Sequence, residues 1–451
     1  MAAVPSFLAP SPMKPAARST RATLAQLARF ESRNVTFIEP DGSWPIVWHR
    51  AHGCHVWVAD RKRYLDLTAA FGVAAAGHAN ATVVRAGQRQ MGELLHAMGD
   101  VHPHPLKAEL VRELSRLTFE RWSRRALSGK AILGSSGFEA VEAALKTARL
   151  ATRRKHIIAF RGGYHGLGYG ALNATHRDHF REPFRNQLGG FGLFAGFPTN
   201  LPSLHKTERE LRALFHRHEV GAVLVEPVQA RGGIHVPPSE FLPLLRRLCD
   251  QHGALLILDE IYTGFGRTGK WFACEHSGVI PDLICLGKAL TGGFPLSACV
   301  GRADVMDAAW PASTGEAIHT STFLGHPVGC AMALAQIAEL KRRRLPHASA
   351  ALGKWLRTEL GKLRAPSPSI RLSVRGVGLM AGVELLRADG SPATDLSLLI
   401  IKRLLHRGFI LLPEGEQANV ISLTPPLTIT RQQLEQTLWV LQRVLSETAA
   451  P

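Results

Sequence analysis

From about Lys130 onward, short apolar runs alternate with stretches of helical period, and this rhythm limits the fold more than any other feature of the chain. Runs at 131–133, 156–160, 222–225, 255–258, 283–285 and 298–300 read as strands separated by helices. That alternation predicts an α/β fold, a parallel sheet covered on both faces by helices. Most of these runs end in loops carrying polar residues or glycine. In such sheets ligands sit beyond the carboxyl ends of the strands, so the chemistry is sought there. After about residue 335 the pattern changes to helix, helix, strand, helix, strand, strand, helix, which predicts a smaller α+β domain. Thr430 and Gln433 form a candidate capping box for the last helix.

The chain of 451 residues is long enough for a large domain with smaller ones. Domains are expected at 35–95 (the first part of the small domain), 96–334 (the large domain) and 335–451 (the remainder of the small domain). Residues 1–34 are expected to form an arm, because the first 30 hold no acid and several prolines. Two uncharged stretches, 67–84 and 186–205, approach membrane-spanning length, but glycines and polar residues dilute both, so neither is read as a span. No secretory signal is evident, and six scattered cysteines without a CxxC pair point to free thiols in a reducing, cytoplasmic setting. The net charge of +18 raises the question of nucleic acid, yet the basic residues are spread out and no binding motif accompanies them. Neither nucleic acid nor membrane is therefore expected as a partner.

Two strand ends carry the chemistry. The run 255–258 leads into Asp259-Glu260, and the run 283–286 leads into Gly287-Lys288-Ala289, with Gly292-Gly293 beyond. A lysine at a strand exit among small residues is suited to condense with an aldehyde once partial desolvation lowers its proton affinity. An aspartate nearby can keep a ring nitrogen protonated. Taken alone, a strand-end aspartate more often caps a helix, and a single lysine more often lies on the surface. Gly134-Ser135-Ser136-Gly137, ahead of a helix, offers free amides and a hydroxyl to an anion; a plain N-cap is the competing reading. Gly162-Gly163-Tyr164-His165-Gly166 places an aromatic where it could stack on a flat ring, or simply sit in a tight turn.

The run Asp259-Glu260-Ile261-Tyr262-Thr263-Gly264-Phe265-Gly266-Arg267-Thr268-Gly269-Lys270 resembles the signature of class III (ω) aminotransferases. Gly137-Phe138-Glu139-Ala140, Glu226-Pro227-Val228-Gln229, Thr320-Ser321-Thr322-Phe323 and Arg375-Gly376-Val377-Gly378 extend the likeness over most of the chain. The resemblance implies a fold-type I transferase with a mostly parallel seven-stranded sheet and pyridoxal 5'-phosphate as cofactor. It also implies a homodimer with shared active sites. Its activity would be ping-pong transfer of an amino group from an ω-amino acid or amine to a 2-oxo acid, 2-oxoglutarate or pyruvate. Lys288 would hold the cofactor as a Schiff base and shuttle the proton, with Asp259 on the ring nitrogen. Ile261 and Tyr164 would flank the ring, Gln229 would bond its hydroxyl, and Ser136, Gly137 and Phe138 would bind phosphate together with Thr322 from the neighbouring subunit. Arg375 would take a substrate carboxylate, masked at other times by Glu226, and Phe71 would line the entrance.

Several residues depart from the family pattern. Phe138 replaces a small hydroxyl residue, Tyr262 a frequent glutamine, and Arg231 a common acid. Leu167 stands where aminobutyrate and ornithine enzymes often carry arginine, which argues against a strict 4-aminobutyrate specialist. An aminomutase, decarboxylase or epimerase on the same scaffold is the alternative within the family. A non-catalytic binding protein is the alternative outside it, and the intact Lys288–Asp259 pair weighs against that.

Overall fold

The computed structural model describes residues 19–41 and 43–448. Residues 1–18, half of the expected arm, lie outside the described residues; within the other half is the helix Thr20–Phe30, which Ser19 caps through its side chain. Strands β1 (Trp48–His52), β2 (His55–Val58) and β3 (Arg63–Asp66) follow. The central strands are β4 (Gly129–Gly134), β5 (His156–Phe160), β6 (Gly192–Ala195), β7 (Val220–Val225), β8 (Leu255–Asp259), β9 (Leu283–Leu286) and β10 (Ser297–Arg302). The C-terminal part adds β11 (Ile370–Val377), β12 (Met380–Arg387), β13 (Phe409–Ile410), β14 (Leu412–Glu414) and β15 (Val420–Leu423).

The central seven strands form one sheet in the order β4-β10-β9-β8-β7-β5-β6. Strands β5 to β9 pair in parallel, and β10 runs antiparallel to both of its neighbours, β4 and β9. Every residue of β7 and β9 is buried. Alternate side chains of these strands enter two cores, as a pleated strand requires. Val223, Leu256, Leu258 and Ile284 pack on one face, and Ala222, Leu224, Ile257 and Leu283 on the other. This two-sided burial explains why the strands read as unbroken apolar runs.

Strand β6 was not among the strands read from the sequence. It is a short edge strand in a glycine-rich stretch, only half buried along most of its length, so it carries neither an apolar run nor an alternation. At the C-terminus, the residues 409–414 form two strands in different sheets. Strand β13 pairs in parallel with β3, whereas β14 pairs with β15. The N-terminal strands thus share a sheet with a strand from beyond residue 400. Thr430 and Gln433 do cap the final helix reciprocally, at 3.2 and 2.9 Å. No helix among the described residues is long and apolar enough to cross a membrane.

Candidate active site

The parallel register sets Asp259, the last residue of β8, level with Cys285 of β9. Three residues later the chain reaches Lys288, so both groups emerge at the carboxyl edge of the sheet. Lys288 has φ 24°, a left-handed conformation outside the ordinary range for a side-chain-bearing residue. Its amine lies 4.6 Å from the centroid of the Tyr262 ring. Burial pushes the proton affinity of this amine below the ordinary lysine range. Asp259 and Glu226 pull it back in part, and the Arg231 charge adds to the lowering.

Asp259 is buried, and its carboxylate is held from two sides. His165 Nδ1 lies 2.7 Å from Oδ2, and the backbone amide of Ile261 donates to Oδ1 at 3.1 Å. A carboxylate only accepts, so Nδ1 carries the hydrogen of that bond. His165 is itself buried, and its backbone amide donates to Thr175 Oγ1 at 2.9 Å. The aspartate is therefore buried and oriented from two sides.

A cavity of about 370 Å³ opens around these groups, lined by Lys288, Asp259, His165, Gly137, Phe138, Tyr164, Ile261 and Glu226, with Leu167, Arg231 and Tyr262 completing its wall. Ile261 packs so closely on the backbone that a Cβ on Gly137 would lie 3.1 Å from it and one on Gly287 3.3 Å, which is why both positions are small. At one end the helix Gly137–Thr152 begins, directly after β4. Glu139 turns back to accept the backbone amides of Ser135 and Ser136. This leaves Ser136 Oγ buried without a protein partner, beside the first amides of a 16-residue helix. A hydroxyl and amides so placed fit a phosphate group. With the desolvated Lys288 amine and the anchored Asp259, the residues present match what pyridoxal phosphate requires.

The structure brings together Lys288, Asp259, Gly137, Phe138, Tyr164, Ile261 and Glu226, with Ser136 adjoining, and separates the rest. Gln229 lines a neighbouring cavity of about 490 Å³, and its Nε2 donates to the Arg161 carbonyl at 2.9 Å. Arg375 lies in that second cavity too. The expected masking of Arg375 by Glu226 is not what is observed. Arg375 Nη1 is bound to Glu384 at 2.7 Å across the β11–β12 ladder, and its Nε donates to the Gly233 carbonyl at 2.8 Å. Glu226 instead accepts the backbone amides of Tyr164 (2.9 Å) and Ala230 (3.1 Å). Burial pushes its carboxyl up to about 7, with the nearby His165 opposing. Phe71 is exposed and lies outside the lining, within a run from Ala69 to Gly72 in which every φ is positive. Asp66 ties that turn down by accepting from Thr68 and Ala70, and Gly72 abuts the Tyr262 ring. Thr322 is exposed in the single chain and lines neither cavity.

The lining includes residues that were given no role from the sequence, His165 and Arg231 among them. His165 was visible as part of a Tyr-His-Gly turn, but its partner is 94 positions away. Arg231 was noted only as a departure, and the structure puts it in the wall of the Lys288 cavity, with its guanidinium carbon 4.8 Å from the centroid of Tyr164.

Comparison with known proteins agrees with this geometry. The model of the family Aminotransferase class-III matches residues 38–445. The 5-aminovalerate aminotransferase of Pseudomonas aeruginosa is 36% identical over 90% of this chain and 94% of its own length. The 4-aminobutyrate aminotransferase of Escherichia coli is 34% identical over 89% and 94%. Among solved structures, an (S)-enantioselective ω-transaminase from Thermomicrobium roseum superposes with a TM-score of 0.86 at 29% identity, covering 95% of this chain and 99% of that one. A pyridoxal-phosphate-bound amine transaminase from an uncultivated Pseudomonas species reaches 0.83 at 28% identity, covering 93% and 98%. With a lysine and an anchored aspartate sharing one cavity on this fold, the chain belongs to the class III aminotransferases and is a pyridoxal-phosphate-dependent transaminase.

Proposed function

We propose that the enzyme takes the amino group of an ω-amino acid or amine and delivers it to a 2-oxo acid, 2-oxoglutarate or pyruvate, in two successive half-reactions at Lys288. The observation that carries this reading is the placement of Lys288 and Asp259 in the wall of the same cavity. The relatives' names support the donor class, since 5-aminovalerate, 4-aminobutyrate and putrescine each end in a primary amine.

When bound, pyridoxal phosphate supplies an aldehyde that captures amines and a protonated ring that accepts the electrons left at the substrate carbon. The residues of the chain do the remainder. Ser136 Oγ with the amides of Gly137 and Phe138 would hold the phosphate, and Tyr164 and Ile261 would wall the ring. Asp259, oriented by His165, would keep a proton on the ring nitrogen. Lys288 Nζ takes the proton from the substrate carbon and returns it, a task for which a desolvated amine of lowered proton affinity is suited.

The functional unit in this proposal is a homodimer in which Thr322 reaches the partner's phosphate site. Thr322 is free to do so because it lies exposed, next to exposed Phe323, in a segment that meets a distant exposed apolar stretch containing Met98 and Val101 where Thr320 Oγ1 donates to Asp100 Oδ2 at 2.5 Å. All six cysteines are free and buried, which fits a reducing cytoplasm.

The test is an absorbance titration of purified protein. A primary-amine donor is expected to bleach the visible band, and a 2-oxo acid to restore it. Lys288→Ala is expected to abolish the cycle, with a rate loss of at least about 10³-fold. A variant that still cycles would remove Lys288 from the mechanism. Recovery of the band without any 2-oxo acid would exclude a two-substrate transfer.

A further inference from the structure

Two basic side chains line the 370 Å³ cavity among the described residues, Lys288 and Arg231. The first is committed to the amine chemistry. The second has no assigned task, and its surroundings are unusual for an arginine. No carboxylate of the described residues lies within ion-pair distance of it, whereas Arg375 next door is bound to Glu384. The acids that share the cavity with Arg231 are already engaged, Asp259 by His165 and Glu226 by two backbone amides. Glu414 senses the Arg231 charge through space without forming an ion pair.

The guanidinium is nevertheless held in place. Its loop leaves β7 and is closed by two bonds between the backbones of Gln229 and His235, at 3.0 and 2.9 Å, and by Gly415 donating to the Arg231 carbonyl at 3.1 Å. The side chain lies over the Tyr164 ring, whose own backbone amide is fixed by Glu226. A cation held over an aromatic face keeps its edge and its N–H donors available. A half-buried guanidinium without a counter-charge loses part of its hydration, which a bound anion offsets. A carboxylate matches that planar donor set with two parallel bonds. Phe138, Leu167, Ile261 and Tyr262 line the same cavity and can accept the methylenes between a carboxylate and an amine.

We infer that Arg231 is the carboxylate-binding residue of this enzyme, so that its substrates are amino acids and oxo acids recognised at their acid end, the role that the sequence pattern had pointed to Arg375. The inference rests on the transamination reading and names its substrate class.

The test compares holoenzyme with the variants Arg231→Met, Arg231→Lys and Arg375→Met. Calorimetry measures binding of glutarate, which carries two carboxylates and neither amine nor ketone. Half-reaction kinetics compare 5-aminovalerate with pentylamine, the same chain without the acid. Arg231→Met is expected to weaken glutarate and to raise KM for 5-aminovalerate by about 10- to 100-fold, the range of one lost charge-assisted pair. Pentylamine kinetics and the cofactor spectrum should stay within about twofold. Arg231→Lys should fall between, and Arg375→Met should match the unmodified enzyme. Equal losses for both donors, loss of cofactor, unchanged glutarate affinity, or a glutarate defect confined to Arg375→Met would each overturn the assignment. If Arg231→Met is insoluble, Arg231→Gln takes its place under the same criteria. Failure of the unmodified enzyme to react with any amine would count against the transamination reading, while the glutarate comparison would still decide the role of Arg231.

Discussion

Replacing His165 with phenylalanine keeps a ring in the same buried space and removes one atom of consequence, the Nδ1 that meets Asp259 at 2.7 Å. Asp259 then keeps a single donor in this chain, the Ile261 amide at 3.1 Å, inside a site that admits almost no water to it. A hydrogen bond to a charged group contributes about 1.5–3 kcal/mol net. At about 1.4 kcal/mol per factor of ten, the lost orientation of Asp259 corresponds to roughly a 10- to 150-fold change. It should appear in the dissociation constant of pyridoxal phosphate, measured by fluorescence, and in the single-turnover rate of amine-driven bleaching. A second readout comes from Glu226, whose carboxyl is held down by His165 against the effect of burial. Without His165 it moves above its present value of about 7, and any limb of the pH profile that it controls moves to higher pH. His165→Asn, which places an N–H near the Nδ1 position, should recover a large part of the loss. A His165→Phe enzyme whose cofactor affinity and rate stay within twofold of normal would refute the positioning role. So would a folded His165→Asn variant no better than the phenylalanine one.

Other consequences concern stability. Burial pushes the carboxyls of Glu226, Glu260 and Glu414 up to about 7 each. Between about pH 4.5 and 7 the folded chain therefore binds more protons than the unfolded one, and this stabilisation is complete below that window and lost as pH rises through 7. Thermal scans should show Tm falling from pH 5.5 to 8. Glu414→Gln, which fixes the neutral form at a residue making no side-chain hydrogen bond among the described residues, should flatten the slope; an unchanged slope would count against Glu414 as a contributor. Gly353→Ala should destabilise at the upper end of the about 1–3 kcal/mol typical of overpacking or beyond, because a Cβ there would stand 1.9 Å from the Gly378 carbonyl oxygen. A variant with normal yield and Tm would show that the helix Leu345–Leu360 can shift away from the β11–β12 turn.

The sequence alone determined six of the seven strands of the central sheet, all but the edge strand β6, and the pair that carries the chemistry. Strands buried on both faces must be apolar throughout, so β5, β7, β8 and β9 show as runs, and residues at their carboxyl ends stand out as the polar exceptions, Asp259 and Lys288 among them. The signature run that carried the family resemblance turned out to mix two roles. Asp259 faces the cavity, whereas Arg267 is buried and donates to the carbonyls of Leu379 and Pro425, fastening the central region to the C-terminal part. What only the tertiary structure decided are the relations between distant segments. The pairing of His165 with Asp259, the bond from Arg375 to the Gly233 carbonyl, and the opening of Arg231 into the Lys288 cavity depend on which loops meet at the sheet edge. Local sequence records propensity and burial, which act over a few residues. Partner choice among charged side chains is settled by which of them the packed fold leaves within about 3 Å of one another.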